Sequence, residues 1–200
     1  MRFLGLVAAC LALFAGIGKA RPAPLHRPDL RSVEAIVTPQ FYGGTWSLVA
    51  HSIGMTGMRK PPLLMNFELH SDTRFLGHLQ AMYTTEAGNV TFFPNRIVPE
   101  TARLFKKRRT HMTDSDLRAQ CGIILAHEFL HAIDDHRGVP LECGHQSILN
   151  QRSEFKRVII AIASREHAEH WPLLYAAQIG YLVRAAARER AADPRCGHLP

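Results

Sequence analysis

The stretch Leu125-Ala126-His127-Glu128-Phe129-Leu130-His131 constrains this chain more than any other. It has the pattern H-E-x-x-H, with Ile123 and Ile124 ahead of it and Asp134 and Asp135 behind. Residues four apart lie on one face of a helix, so His127 and His131 can both address one ion. Glu128, one position round from His127, can reach a water held by that ion. Two imidazoles on Zn2+ with a neighbouring carboxylate as general base form a hydrolytic set. Histidine is abundant, at 12 residues, so the same spacing can arise by coincidence on an exposed, ion-paired helix face. The apolar residues Ile123, Ile124, Leu125, Phe129, Leu130 and Ile133 argue against that, because they imply burial of the helix.

Two hundred residues are enough for one globular domain with a real core. Residues 1–20 have the character of a secretory signal. Arg2 is the positive start, Phe3 to Ile17 the apolar run, and Gly18-Lys19-Ala20 a small-x-small cleavage site. The run is too short for a stable membrane span and is followed by Pro22, Pro24 and Pro28. Two rival readings are a lipoprotein site at Val7-Ala8-Ala9-Cys10 and a retained signal anchor. The expected location is secreted or periplasmic.

Losing residues 1–20 removes Arg2 and Lys19 and lowers the net charge of +7 by two. Part of the remaining charge is local, in Lys106-Lys107-Arg108-Arg109. In an exported chain this run reads first as a solvated loop or helix end, and second as attraction to an acidic surface or substrate. Nucleic acid is not an expected partner. Cys121, Cys143 and Cys196 remain in the mature chain, and an oxidising compartment permits one disulfide. Cys121–Cys143 would bracket the motif helix, and Cys143–Cys196 would tie down the C-terminus. Spacing does not choose between them, and free buried thiols are the plain alternative. No C-x-x-C pair offers a cysteine metal site.

Residues 21–40 are a Pro-rich leader onto a domain spanning 41–200, strand-rich over 41–98 and helical over 99–200. Gly43-Gly44 predicts a turn before a strand over Thr45–Ala50. A loop follows from Gly54 to Pro62, then strands over Leu63–His70, Phe75–Thr84 and Asn89–Phe93, the last two joined by Glu86-Ala87-Gly88. A short helix is expected over Pro99–Arg109. The motif helix should start near Thr113-Asp114-Ser115-Asp116, with N-cap and first-turn acids, and stop at Gly138. Leu141–Arg152 reads as a connector. A further helix opens at Ser153-Glu154, with Phe155, Val158, Ile159 and Ile162 on its buried side. The last begins at Trp171-Pro172 and carries Leu174, Tyr175, Ile179, Leu182 and Val183. Strands before helices predict an α+β fold, a small antiparallel or mixed sheet followed by the motif helix and two more.

The motif with its flanks resembles the zincin clan of metallopeptidases. His127-Glu128-Phe129-x-His131-x-x-Asp134-Asp135 looks like the active helix of the anthrax lethal factor-like peptidases, and His127 to Ala132 also looks like astacins. The astacin pattern needs glycine where Asp134 stands and a third histidine six residues after the second. Here His136 is five residues on, so it faces another way. The gluzincin pattern, with a glutamate from a following helix, fits better and implies Glu154 as third ligand, 23 residues beyond His131. Glu166, Glu169 and His170 are the further options. The resemblance implies a zincin-like fold and a secreted zinc metallopeptidase acting on a peptide or protein substrate. Glu128 would be its general base, and Asp134 or Asp135 would either hold a ligand imidazole in its tautomer or, as a helix-end acid, pair with Arg137. Tyr175, Tyr181 and His170 are donors available to the transition state, and the hairpin at 80–93 offers an edge strand for the substrate. A zincin-fold binding or accessory protein without catalysis is the other reading. Neither the third ligand, the substrate preference nor the oligomeric state follows from the sequence.

Overall fold

The computed structural model describes residues 33, 35–54, 62–65, 80–84 and 88–199. The readings made for the signal segment, Cys10, most of the leader, and parts of the strands over 66–79 and the turn at 85–87 lie outside these residues.

Helix α1 spans Pro39–Ser52, where Thr45–Ala50 was expected to be a strand. The correction has a clear cause. Thr38 caps the helix by accepting from the Phe41 amide at 3.2 Å, and Pro39 sits at its first position, where proline costs nothing. Phe41, Tyr42, Thr45, Trp46 and Val49 then fall on one buried helical face. This stripe outweighs the strand preference of Thr, Trp and Val taken singly. Gly43-Gly44 is inside the helix rather than in a turn, and Gly44 lies close to the Arg165 guanidinium.

Three short strands follow: β1 (Leu63–Met65), β2 (Ala81–Thr84) and β3 (Asn89–Phe92). Their order is β1-β3-β2, parallel between β1 and β3 and antiparallel between β2 and β3, with Tyr83 opposite Val90. The sheet is therefore mixed, and β2 is its outer strand on one side among the described residues. Helix α2 spans Pro94–Lys107, beginning five residues before the expected start and carrying Pro99 within it.

Helix α3, Asp114–His136, is the axis of the molecule. Its start is a capping box: the Thr113 hydroxyl accepts from the Asp116 amide at 3.1 Å, and the Asp116 carboxylate accepts from the Thr113 amide at 2.9 Å. It ends at Arg137 with Gly138 in a left-handed conformation. Most of its length between Asp116 and Asp134 is buried. Tyr42 and Trp46 of α1 meet Phe129 edge-on, with ring centroids 5.0 and 5.2 Å away. Such burial of a phenylalanine contributes roughly 1.5–3 kcal/mol, with about 0.5–1.5 kcal/mol more for each aromatic pair. On another side Gly122 admits the next helix, since a Cβ there would stand 2.7 Å from the Ile162 methyl.

The expected connector is itself structured. A 3-10 turn (Leu141–Cys143) leads into helix α4 (Gly144–Asn150), so three helices follow α3 instead of two. Helix α5 covers Arg152–Glu166 and helix α6 covers Trp171–Ala192, before a last 3-10 turn at Pro194–His198. Cys143 and Cys196 form a disulfide, and Cys121 is a free, buried thiol within α3. With six described helices and a small mixed sheet, the fold is predominantly helical and consistent with α+β. The expected strand-rich half, 41–98, holds all three described strands, together with most of α1 and the start of α2.

Candidate metal centre

His127 and His131 stand one turn apart on α3 with their Nε2 atoms 3.0 Å from each other. In a tetrahedral zinc site two such nitrogens would be roughly 3.3 Å apart. The third group brought to them is His145, at the start of α4. Its ring centroid lies 5.3 Å from that of His127 and 4.8 Å from that of His131. One ligand atom from each of the three lies within 4.8 Å of the others, so the group can hold a metal ion.

Burial pushes the His127 imidazole well below the usual histidine range, aided by the charges of His131 and His145. Burial and then the charge of His145 push His131 down to about 3. Both are thus neutral at ordinary pH, the form that binds metal.

Several local features fix His145. The disulfide to Cys196 anchors Cys143 two residues ahead of it. Gly144 lets the backbone lie against His131, where a Cβ would come 2.6 Å from its Nδ1. Glu189 of α6 accepts from the His145 and Gln146 amides at 3.1 and 2.8 Å, and its carboxylate lies 2.6 Å from His145 Nδ1. A proton on Nδ1, donated to Glu189, leaves Nε2 free for an ion. His127 Nδ1 has the Gln178 amide as its neighbour at 3.1 Å. His131 Nδ1 is buried without a hydrogen-bond partner, and so is Asp134 Oδ2. Asp134 Oδ1 accepts from Gln151 at 3.3 Å.

Glu128 is buried beside the three histidines, and its Oε2 accepts from the Tyr83 amide of β2 at 2.7 Å. Burial raises its carboxyl to about 8, against the opposing pull of that hydrogen bond. The Tyr83 hydroxyl donates to Asp135 at 3.0 Å, so β2 is fastened to α3 at two points. The Tyr181 hydroxyl lies 3.3 Å from His145 Nε2. The three histidines, Glu128, Tyr83, Tyr181 and Glu189 line a cleft of about 1190 Å³ bounded by β2, α2, α3 and α6.

Glu154, the expected third ligand, is not brought to the pair. It lies in the first turn of α5, a third exposed, bonded to the Ser153 hydroxyl at 2.6 Å and to Arg157 at 3.3 Å. Its neighbour Phe155 takes the inward position and faces the His127 ring at 6.4 Å. Helix α5 does return alongside α3, with Ile162 against Gly122, but it turns Phe155 rather than Glu154 toward the pair. Glu166 is buried but held by Arg118 at 2.7 Å and Arg165 at 2.5 Å. Glu169 and His136 are exposed. His170 pairs with Asp116 at 3.0 Å and meets the edge of Phe105. Of the suggested transition-state donors, only Tyr181 is at the centre; Tyr175 lies beside Trp171 and under Lys156.

His145 escaped the sequence reading because the expected ligand was a glutamate on a helix. The local signal was a histidine following Cys143-Gly144 just past the motif helix, in a stretch read as a connector. Comparisons of the chain with protein-family models, curated proteins and solved structures found no match.

Proposed function

We propose that the chain is an exported zinc-dependent peptidase of zincin type. One juxtaposition carries the reading: three imidazoles able to share an ion, with the Glu128 carboxyl beside them, under an open cleft. Imidazole suits zinc, and three histidines with one open position form a hydrolytic arrangement. The donor set differs from the gluzincin pattern, because the third ligand is His145. Held by His127, His131 and His145, a zinc ion would supply a polarised water and Lewis-acid activation of a carbonyl.

Glu128 takes a proton from the attacking water and returns it to the leaving amine. Its raised carboxyl falls when positive charge stands beside it, towards the range of a base working near neutrality. The Tyr83 amide holds Oε2 and leaves Oε1 for the water. Tyr181 is the nearest hydroxyl able to donate to the developing oxyanion. The outer strand β2 lines the cleft, and an extended peptide can add along it as a further strand. Export rests on the signal-like residues 1–20, and the Cys143–Cys196 disulfide suits an oxidising compartment.

Metal analysis of the purified chain should find about one zinc per molecule. Glu128→Gln should retain that zinc and lose cleavage of a mixed peptide library. A wild-type chain as inert as this variant would defeat the proposal.

A further inference from the structure

The two long walls of the cleft carry an excess of the same charge. Arg103 and Lys107 of α2 and Arg108 at its C-terminal cap line one wall, and Arg184 and Arg188 line the other from α6. All five are exposed, and none of their side chains makes an ion pair among the described residues. The same lining also holds three carboxyls, Glu100, Glu128 and Glu189, so its five cations leave a positive surplus. Glu189 binds His145, Glu100 accepts from Gln80 at 2.9 Å, and Glu128 lies at the metal centre. A row of solvated lysines and arginines on one helix is ordinary. Cations on two separate helices that line one cleft with the metal centre are a different matter. Low-dielectric walls of one sign concentrate their field on whatever enters.

We propose that the cleft selects acidic polypeptide segments, with α2 and α6 each holding carboxylates of the bound chain while its backbone lies along β2. This rests on the peptidase reading and adds the substrate class to it. At about 1190 Å³ the cleft exceeds the roughly 300–1,000 Å³ usual for small-molecule sites, which suits a segment of polymer. A nucleic acid would share the negative charge, but single strands bind through open aromatic platforms. The aromatic side chains of this lining besides the histidines are two, Tyr83, tied to Asp135, and Tyr181, at the metal centre, and they form no run of platforms along the cleft. The strand edge of β2, by contrast, matches a peptide backbone.

The test uses the purified zinc-loaded chain and labelled peptides of one length, with Asp and Glu or their amides Asn and Gln on both sides of a common core. At about 0.05 M salt kcat/KM should favour the acidic peptide by about tenfold or more, and the ratio should shrink towards one at about 0.5 M. The double replacements Arg103→Glu with Lys107→Glu, and Arg184→Glu with Arg188→Glu, should each cut that ratio by about tenfold. Arg157→Glu, on α5 away from the cleft, should leave it in place. Equal cleavage of the acidic and amide peptides overturns the charge selection while the peptidase reading stands. If neither peptide is cleaved, the peptidase reading fails, and fluorescence anisotropy on the Glu128→Gln chain decides the inference. A tenfold preference for the acidic peptide sustains it, and equal binding overturns it. A single-stranded oligonucleotide of matched charge that displaces the acidic peptide at lower concentration than the peptide itself also overturns it.

Discussion

Helix α3 carries two buried polar clusters, and they are built on opposite principles. At its first half, Glu166 receives Arg118 and Arg165, Arg165 also donates to Thr45 at 3.0 Å, and both guanidinium groups lie over the Phe41 ring. Asp116 receives the Thr113 amide and hydroxyl together with His170. Every charge there has its answer inside the chain. At the second half, three imidazoles crowd together beside Glu128, and of the three only His145 is paired with a carboxylate, that of Glu189. His131 Nδ1 and Asp134 Oδ2 are the buried side-chain atoms without a partner among the described residues. Burying polar atoms unpaired costs stability. The first cluster is thus a fastening between helices, whereas the second is left incompletely satisfied and contains a group of histidines that could hold a metal ion. Burial of polar residues by itself does not mark a functional site; incomplete satisfaction does.

The sharpest way to separate the two halves is through Glu128. Glu128→Gln should lower kcat by about 10²–10⁴-fold with zinc content unchanged, measured on any peptide the wild type cleaves. His145→Ala comes next. Its zinc affinity should fall by about 100-fold or more, beyond the usual 10–100-fold of outer-shell changes. Glu154→Ala should leave zinc binding as it is, and competition with a chromogenic chelator reads both. Equal losses in the two variants would restore Glu154 as a ligand.

The fastening cluster should respond in the other way. Glu166→Ala should cost about 1–3 kcal/mol in urea unfolding, below the 3–5 kcal/mol of a fully buried pair because both arginines reach solvent. The zinc stoichiometry of the folded protein should not change. Gly144→Ala is a finer probe of the open cluster. The new methyl would press on His131, so zinc affinity should fall by about tenfold, with the cost concentrated in metal binding.

The smallest effect is one of pH in the metal-free chain. His131 stays neutral when folded down to about 3, while the unfolded side chain takes its proton near 6.5. In that window the unfolded state binds more protons, so this group's contribution is whole above about 6.5 and is lost as pH falls. His131→Asn should flatten the dependence of unfolding free energy on pH, by at most about 1.4 kcal/mol per pH unit. Urea melts of chelator-treated protein at several pH values below 7 would show parallel curves if His131 were not buried neutral.

Local pattern alone determined a good deal. The capping residues at Thr113 and Asp116, the glycine stop at Gly138 and the unbroken apolar run made α3 legible, and a helix of 3.6 residues per turn puts His127 and His131 together by itself. The apolar spacing of α5 and α6 was legible for the same reason. Thr45–Ala50 misled, since β-branched and aromatic residues favour a strand until a neighbouring surface accepts them at helical spacing. The disulfide partner of Cys143, the short helix α4 and the third imidazole were decided only by tertiary structure. His145 is 14 residues from His131 in the chain. Its approach depends on Gly144 leaving room, on Cys196 holding Cys143, and on Glu189 reaching across from α6. Interactions across such distances leave no period in a sequence. The helix could announce two ligands because its own geometry joins them; the third is joined to them only by packing.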